Sequence, residues 1–92
     1  MEISLDTAYQ NAKKGIYWAL TNIPDSKSQL QMDLIADEKL YSTVKLRKEY
    51  NGIRIESRGY NASTEVSIIL FRSTEGLIKE GYLSPPGDGK DK

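Results

Sequence analysis

The residues best suited to chemistry are basic and aromatic side chains that alternate along one part of the chain. Guanidinium and ammonium groups neutralise phosphates or pair with carboxylates, while aromatic rings stack on bases or anchor protein contacts. The pattern therefore predicts a binding surface. We expect seven residues to form it: Tyr41, Lys45, Arg47, Arg54, Arg58, Tyr60 and Phe71.

Three interpretations of this surface are open. It is a solvated sheet face whose charges pair with each other, a docking surface for a protein partner, or a nucleic-acid interface. Acidic residues lie within the basic stretch, at Glu49 and Glu56, and they weaken the nucleic-acid interpretation. We therefore expect a small adaptor, inhibitor or immunity-type binder that acts on a protein partner, with nucleic acid as the alternative.

Catalytic chemistry finds little support in the composition. The chain has no histidine and no cysteine, which excludes Ser-His-Asp and Cys-His nucleophilic sites as well as zinc-thiolate sites. The glycines do not form a nucleotide-binding loop, and Asp33, Asp37 and Glu38 lack the spacing of a calcium loop. The sequence predicts a protein that is not an enzyme and holds no metal or cofactor.

The charge of the chain is balanced but uneven. Thirteen basic and thirteen acidic residues cancel over the 92 residues. The stretch from Lys45 to Arg72 contains six basic and three acidic residues, an excess of three positive charges. The chain as a whole should have no strong attraction to nucleic acid or to an anionic membrane.

A β-hairpin around Asn51-Gly52 is the strongest structural signal. Asn-Gly tolerates the left-handed backbone that a type I′ turn requires, and alternating strand-forming residues flank it. Such a turn would set the pairing of the two strands. The expected opposite pairs are Tyr50 with Ile53, Lys48 with Ile55, Glu49 with Arg54, Arg47 with Glu56, and Lys45 with Arg58.

Other elements follow from periodicity and capping. Asp6 should cap a helix that runs from Thr7 to about Asn22, with Gly15 packed closely on a sheet. Alternating residues predict strands over 29–36, 40–50, 53–58 and 65–72, with a loop over 59–63 that exposes Tyr60. Ser73 or Thr74 should begin a short helical turn that ends at Gly81.

The outer side of this sheet carries apolar residues that need a cover. By alternation, Ile35, Tyr41, Ile69 and Phe71 point away from the N-terminal helix. The segment after Arg72 is the local candidate to cover them.

The predicted fold is α+β, with the N-terminal helix packed on a four-stranded antiparallel meander. Residues 1–83 should form one domain and residues 84–92 a disordered tail, because the tail is rich in Pro, Gly and charge. The first residues lack the features of a signal peptide, and no apolar run is long enough for a membrane span. We expect a cytoplasmic protein, and its small core makes a homodimer a further expectation.

Overall fold

The fold is an α+β arrangement of two helices and one sheet, as the sequence predicts. A computed structural model describes residues 2–84, without the side chains of residues 2–4. The sheet is an antiparallel meander in the order β1-β2-β3-β4. The elements are α1 (Glu2–Leu20), β1 (Gln29–Ala36), β2 (Lys39–Glu49), β3 (Gly52–Asn61), β4 (Thr64–Ser73) and α2 (Thr74–Lys79). Of the predicted tail, residues 85–92 lie outside the described residues.

Helix α1 begins earlier than predicted. It starts at Glu2, so Asp6 lies inside the helix rather than at its cap. A carboxylate near the N-terminus of a helix is favourable inside the helix as well as at the cap, because it faces the positive end of the helix dipole. The helix ends near the predicted position, where Thr21 Oγ1 and Asn22 Nδ2 donate to the carbonyls of Tyr17 and Trp18.

Small residues bring α1 very close to the sheet. Ala8, Ala12, Gly15 and Ala19 are all buried. Ser57 Oγ donates to the Ala12 carbonyl at 2.8 Å and lies 3.1 Å from Ser42 Oγ. A Cβ at Gly15 would collide with both serine hydroxyls. The expectation that Gly15 permits close packing is confirmed.

Both helices cover the same face of the sheet, which we call the inner face. Leu77 of α2 is fully buried in one cluster with Ala19 and Leu20 of α1. The sheet contributes Leu34, Val44, Leu46, Ile53 and Ile55 to that cluster. The segment after Arg72 therefore packs on the inner face as far as residue 84, and it does not cover the opposite side.

The strand register of the hairpin between β2 and β3 is shifted by two residues from the predicted register. Glu49 pairs with Gly52, so the two-residue loop is Tyr50-Asn51 rather than Asn51-Gly52. None of these three loop residues has a positive φ. Gly52 instead lies close to β4, where a Cβ would meet the Arg72 carbonyl and the Phe71 ring. A glycine is therefore needed at position 52 because β4 approaches closely, and not because the turn requires a positive φ.

The left-handed turn occurs between β1 and β2. Asp37 and Glu38 have φ values of 53° and 64°, and Ala36 pairs with Lys39 across them. Two consecutive residues with positive φ are the requirement of a type I′ turn. The two-residue shift at the other hairpin keeps each side chain on its predicted face and changes its cross-strand partner.

Candidate functional site: the outer face of the sheet

The outer face is the side of the sheet opposite the two helices. The strand registers arrange its side chains in rows that cross all four strands. The first row is Gln29, Arg47, Arg54 and Phe71; the second is Gln31, Lys45, Glu56 and Ile69; the third is Asp33, Thr43, Arg58 and Ser67.

The centre of the first row holds two arginines on neighbouring strands. Arg47 lies directly opposite Arg54. Like charges in such a pair disfavour the folded state by a few tenths of a kcal/mol to about 1 kcal/mol. Among the side chains of residues 5–84, no carboxylate lies within 4.0 Å of either guanidinium. We call these two residues the arginine pair.

The predicted ion pairs of the hairpin are therefore wrong. Glu56 pairs with Lys45 and Glu49 with Gly52, because the strands are shifted by two residues from the predicted register. The shift separates each arginine from the carboxylate expected to neutralise it. Sequence reasoning missed the arginine pair for this reason alone, since it placed both residues on the correct face.

Arg58 lies on the outer face in a different electrostatic setting. Its Nη2 is 3.5 Å from Glu56 Oε2, and its Nε is 3.7 Å from Glu65 Oε2. Two carboxylates thus surround one guanidinium. Arg58 is partly neutralised from within the chain, unlike the arginine pair.

A shallow depression surrounds the arginine pair. Its volume is about 510 Å³. Its lining residues are Gln29, Leu30, Gln31, Lys45, Leu46, Arg47, Arg54 and Glu56. The glutamines are site residues that the sequence analysis did not select, although the polar alternate positions of β1 carried the signal. Three cations and one carboxylate in this space leave a local excess of positive charge.

Apolar side chains border the depression on β4. Ile69 is 57% exposed and Phe71 is 49% exposed. Phe71 is the direct neighbour of Arg54 in the first row. The predicted outward position of both residues is confirmed, and no element of the described chain covers them.

Tyr60 differs from the exposed loop residue that was predicted. Strand β3 continues to Asn61, and the turn to β4 contains only Ala62 and Ser63, with Ala62 at a φ of 56°. Tyr60 is half-buried, and its hydroxyl lies 3.0 Å from Thr43 Oγ1. It belongs to the outer face as a strand residue with an engaged hydroxyl.

Tyr41 does not lie on the outer face. The ladder between β1 and β2 is irregular, with Leu34 opposite Ser42 and Ile35 opposite Leu40, so Tyr41 has no opposite residue. A bulge of this kind breaks the alternation on which the prediction depended. Tyr41 packs against the core, and Lys14 Nζ lies 5.9 Å from its ring centroid.

The outer face as a whole is close to neutral. Its basic residues are Lys45, Arg47, Arg54 and Arg58, and its acidic residues are Asp33, Glu49, Glu56 and Glu65. The remaining two basic residues of the basic stretch, Lys48 and Arg72, make their contacts away from the outer face. Lys48 Nζ donates to the Asp25 carbonyl at 3.2 Å, and Arg72 Nη1 lies 2.7 Å from Glu80 Oε2.

No family model, curated protein or solved structure matches the chain. Within residues 2–84, no three acidic side chains are grouped so that they could hold a metal ion. Across the same part of the chain, neither helix combines the length and apolar character that a membrane span requires.

Proposed function

We propose that this chain is a non-enzymatic protein-interaction module that docks its outer face on an acidic segment of a protein partner. The observation that carries the proposal is the arginine pair, two neighbouring guanidinium groups with no carboxylate of residues 5–84 within 4.0 Å. A partner carboxylate would relieve their mutual repulsion. Arginine is suited to this contact because its planar fork binds carboxylates in a bidentate manner.

The surroundings of the arginine pair support a protein partner. Gln29 and Gln31 add amide groups on one side, and Ile69 and Phe71 add apolar surface on the other. Interface hot spots commonly combine arginine and aromatic anchors inside a rim of weaker contacts. Binding through this face would block the partner surface that it covers, which is the mechanism of an adaptor, an inhibitor or an immunity-type binder.

Nucleic acid is the alternative, and the position of Phe71 directly opposite Arg54 favours it, because a base could stack there. The charge of the face argues against it. Four acidic residues accompany four basic ones on the outer face, whereas a nucleic-acid surface must neutralise a row of phosphates. The protein partner is therefore the preferred ligand. The cytoplasmic location and the homodimer stay predictions.

The test is charge reversal at the arginine pair. Arg47→Glu combined with Arg54→Glu should weaken partner binding by about 2–4 kcal/mol, because the partner carboxylate then meets like charge. Partners would be captured from the source cells by tagged wild-type chain, and their affinities measured by calorimetry. The matched control is Lys13→Glu with Lys79→Glu, an equal charge change in exposed residues of the two helices.

The result that contradicts the proposal is a partner whose affinity is equal for wild type and the arginine variant. Titration with single- and double-stranded oligonucleotides distinguishes a nucleic-acid ligand from a protein partner. Micromolar binding that weakens steeply with salt and disappears in the arginine variant would favour nucleic acid. Absence of binding at low salt would exclude it.

A further inference from the structure

The free edge of β4 is unlike the free edge of β1. Both strands end the sheet, since the order is β1-β2-β3-β4. The ladder between β1 and β2 is irregular at Leu34 and Ile35, where Tyr41 of β2 is the extra residue, and the stronger local twist at a bulge makes an edge less suited to pairing with another chain. The β4 ladder is unbroken over ten residues, contains no proline, and includes four consecutive apolar residues from Ile68 to Phe71.

The hydrogen bonds between β3 and β4 show which backbone N–H and C=O groups of β4 point to its free edge. Thr74 N donates to the Asn51 carbonyl at 2.8 Å, one step beyond the pair of Gly52 with Ser73. Bonded and non-bonded pairs alternate along an antiparallel ladder. The even-numbered residues of β4 therefore bond to β3, and the odd-numbered residues direct their N–H and C=O groups to the free edge. These are Glu65, Ser67, Ile69, Phe71 and Ser73.

We propose that β4 pairs with β4 of a second copy of this chain, antiparallel, about a two-fold axis at Ile69. In this register Ile69 pairs with its own copy, Ser67 with Phe71 of the partner, and Glu65 with Ser73 of the partner. All five odd-numbered residues then exchange backbone bonds, about ten hydrogen bonds in total. Moving the axis to Ser67 would leave Phe71 and Ser73 without a partner inside the strand, and moving it to Phe71 would leave Glu65 and Ser67 without one.

The side chains of β4 are complementary to themselves in this register. On the inner face, Ile68 meets Leu70 of the other copy twice, and both residues are only half-buried in the single chain. On the outer face, Ile69 meets Ile69. The two charged residues of β4, Glu65 and Arg72, lie near opposite ends of the strand, so no like charges face each other. In this register Glu65 faces Ser73 and Arg72 faces Val66 of the other copy.

The product is a continuous eight-stranded sheet with two arginine pairs on one surface. The exposed Ile69 and Phe71 side chains of both copies become one apolar strip between those pairs. This inference is independent of the proposed partner, because pairing of β4 involves neither Arg47 nor Arg54.

The oligomeric state of the purified full chain tests the proposal. Sedimentation equilibrium over micromolar to submillimolar concentrations should show a dimer. Ile69→Lys should raise the dimer dissociation constant by about tenfold or more, because edge lysines oppose strand pairing. Ile35→Lys is the matched control, since Ile35 is an isoleucine of similar exposure (64% against 57%) on the other edge strand, and the dimer should persist.

Cysteine cross-linking provides the second measurement, which does not depend on weakening the fold. The chain has no cysteine, so a single introduced thiol is unique. Ile69→Cys should form a disulfide dimer under mild oxidation, because paired Cα atoms lie about 5.5 Å apart, within disulfide range. Ser67→Cys should not, since the two copies of that residue would be about 13 Å apart. A monomer at all concentrations, or a dimer insensitive to Ile69→Lys, would overturn the proposal.

Discussion

At the residue scale, the arginine pair places two like charges opposite each other on neighbouring strands. Arg47 and Arg54 differ from Arg58 in their charged neighbours. Arg58 lies within 3.7 Å of two carboxylates, whereas the arginine pair has none in the described chain. A fold optimised for stability alone would not place two guanidinium groups opposite each other. The carboxylate of the proposed partner would relieve this repulsion.

Removing one charge of the pair should stabilise the free protein. We expect Arg54→Gln to raise the free energy of unfolding by up to about 1 kcal/mol, since the like-charge contact disappears. Urea denaturation at low ionic strength measures the change. Arg58→Gln is the control and should be neutral or destabilising, because it removes two exposed ion pairs. A less stable Arg54→Gln than Arg58→Gln would contradict this account.

At the element scale, the contact between α1 and the sheet depends on the absence of side-chain volume. Gly15 faces Ser57, Ser42 and Val44, and Gly59 faces the backbone of α1 from the other side. The close approach allows Ser57 to bond to the Ala12 carbonyl. Helical propensity alone would favour alanine at position 15 by about 1 kcal/mol, so packing and propensity make opposite predictions there.

Packing should decide the outcome. Gly15→Ala is expected to lower the free energy of unfolding by about 1–3 kcal/mol, because the added methyl group meets two serine hydroxyls. Thermal unfolding followed by circular dichroism measures the effect. Adding Ser42→Ala and Ser57→Ala should recover part of the loss. The control is Gly76→Ala, whose Cβ would lie 3.2 Å from a single flexible hydroxyl. A higher melting temperature for Gly15→Ala would show that the helix is not held this closely.

At the scale of the whole molecule, one face of the sheet is occupied and the other is free. Leu77 draws α2 onto the face that α1 already covers, so the described chain has no element left for the outer face. The apolar core is small, since ten apolar side chains are buried among residues 5–84. A domain of this size gains substantially from any surface that it shares with another molecule. Pairing of β4 and docking of the outer face would each supply such a surface.

Stability should therefore depend on protein concentration. If β4 pairs with a second copy, a tenfold increase in concentration should raise the melting temperature by about 3–5 °C, because the dimer is favoured by mass action. Differential scanning calorimetry across two decades of concentration measures it. The melting temperature of Ile69→Lys should not change with protein concentration. That of Ile35→Lys should rise with concentration as steeply as in the wild type. Equal slopes for all three proteins would contradict pairing at this edge.

Local patterns determined the element types, the meander order and the face of most strand residues. Alternation along β1 and β4, and the cap at Ser73, act over a few residues and can be recognised without knowledge of the fold. The face of each hairpin residue survived the wrong turn assignment, because a shift of two residues preserves the side of the sheet.

Only the tertiary structure decided which residues of different strands and helices lie next to each other. Gly52 is needed for its approach to β4, so the turn moved to Tyr50-Asn51 and the arginine pair formed. The bulge beside Ile35 turned Tyr41 to the inner face, and the burial of Leu77 left the outer face open. Each of these outcomes depends on contacts between residues far apart in the chain. Short-range periodicity contains no information about such contacts.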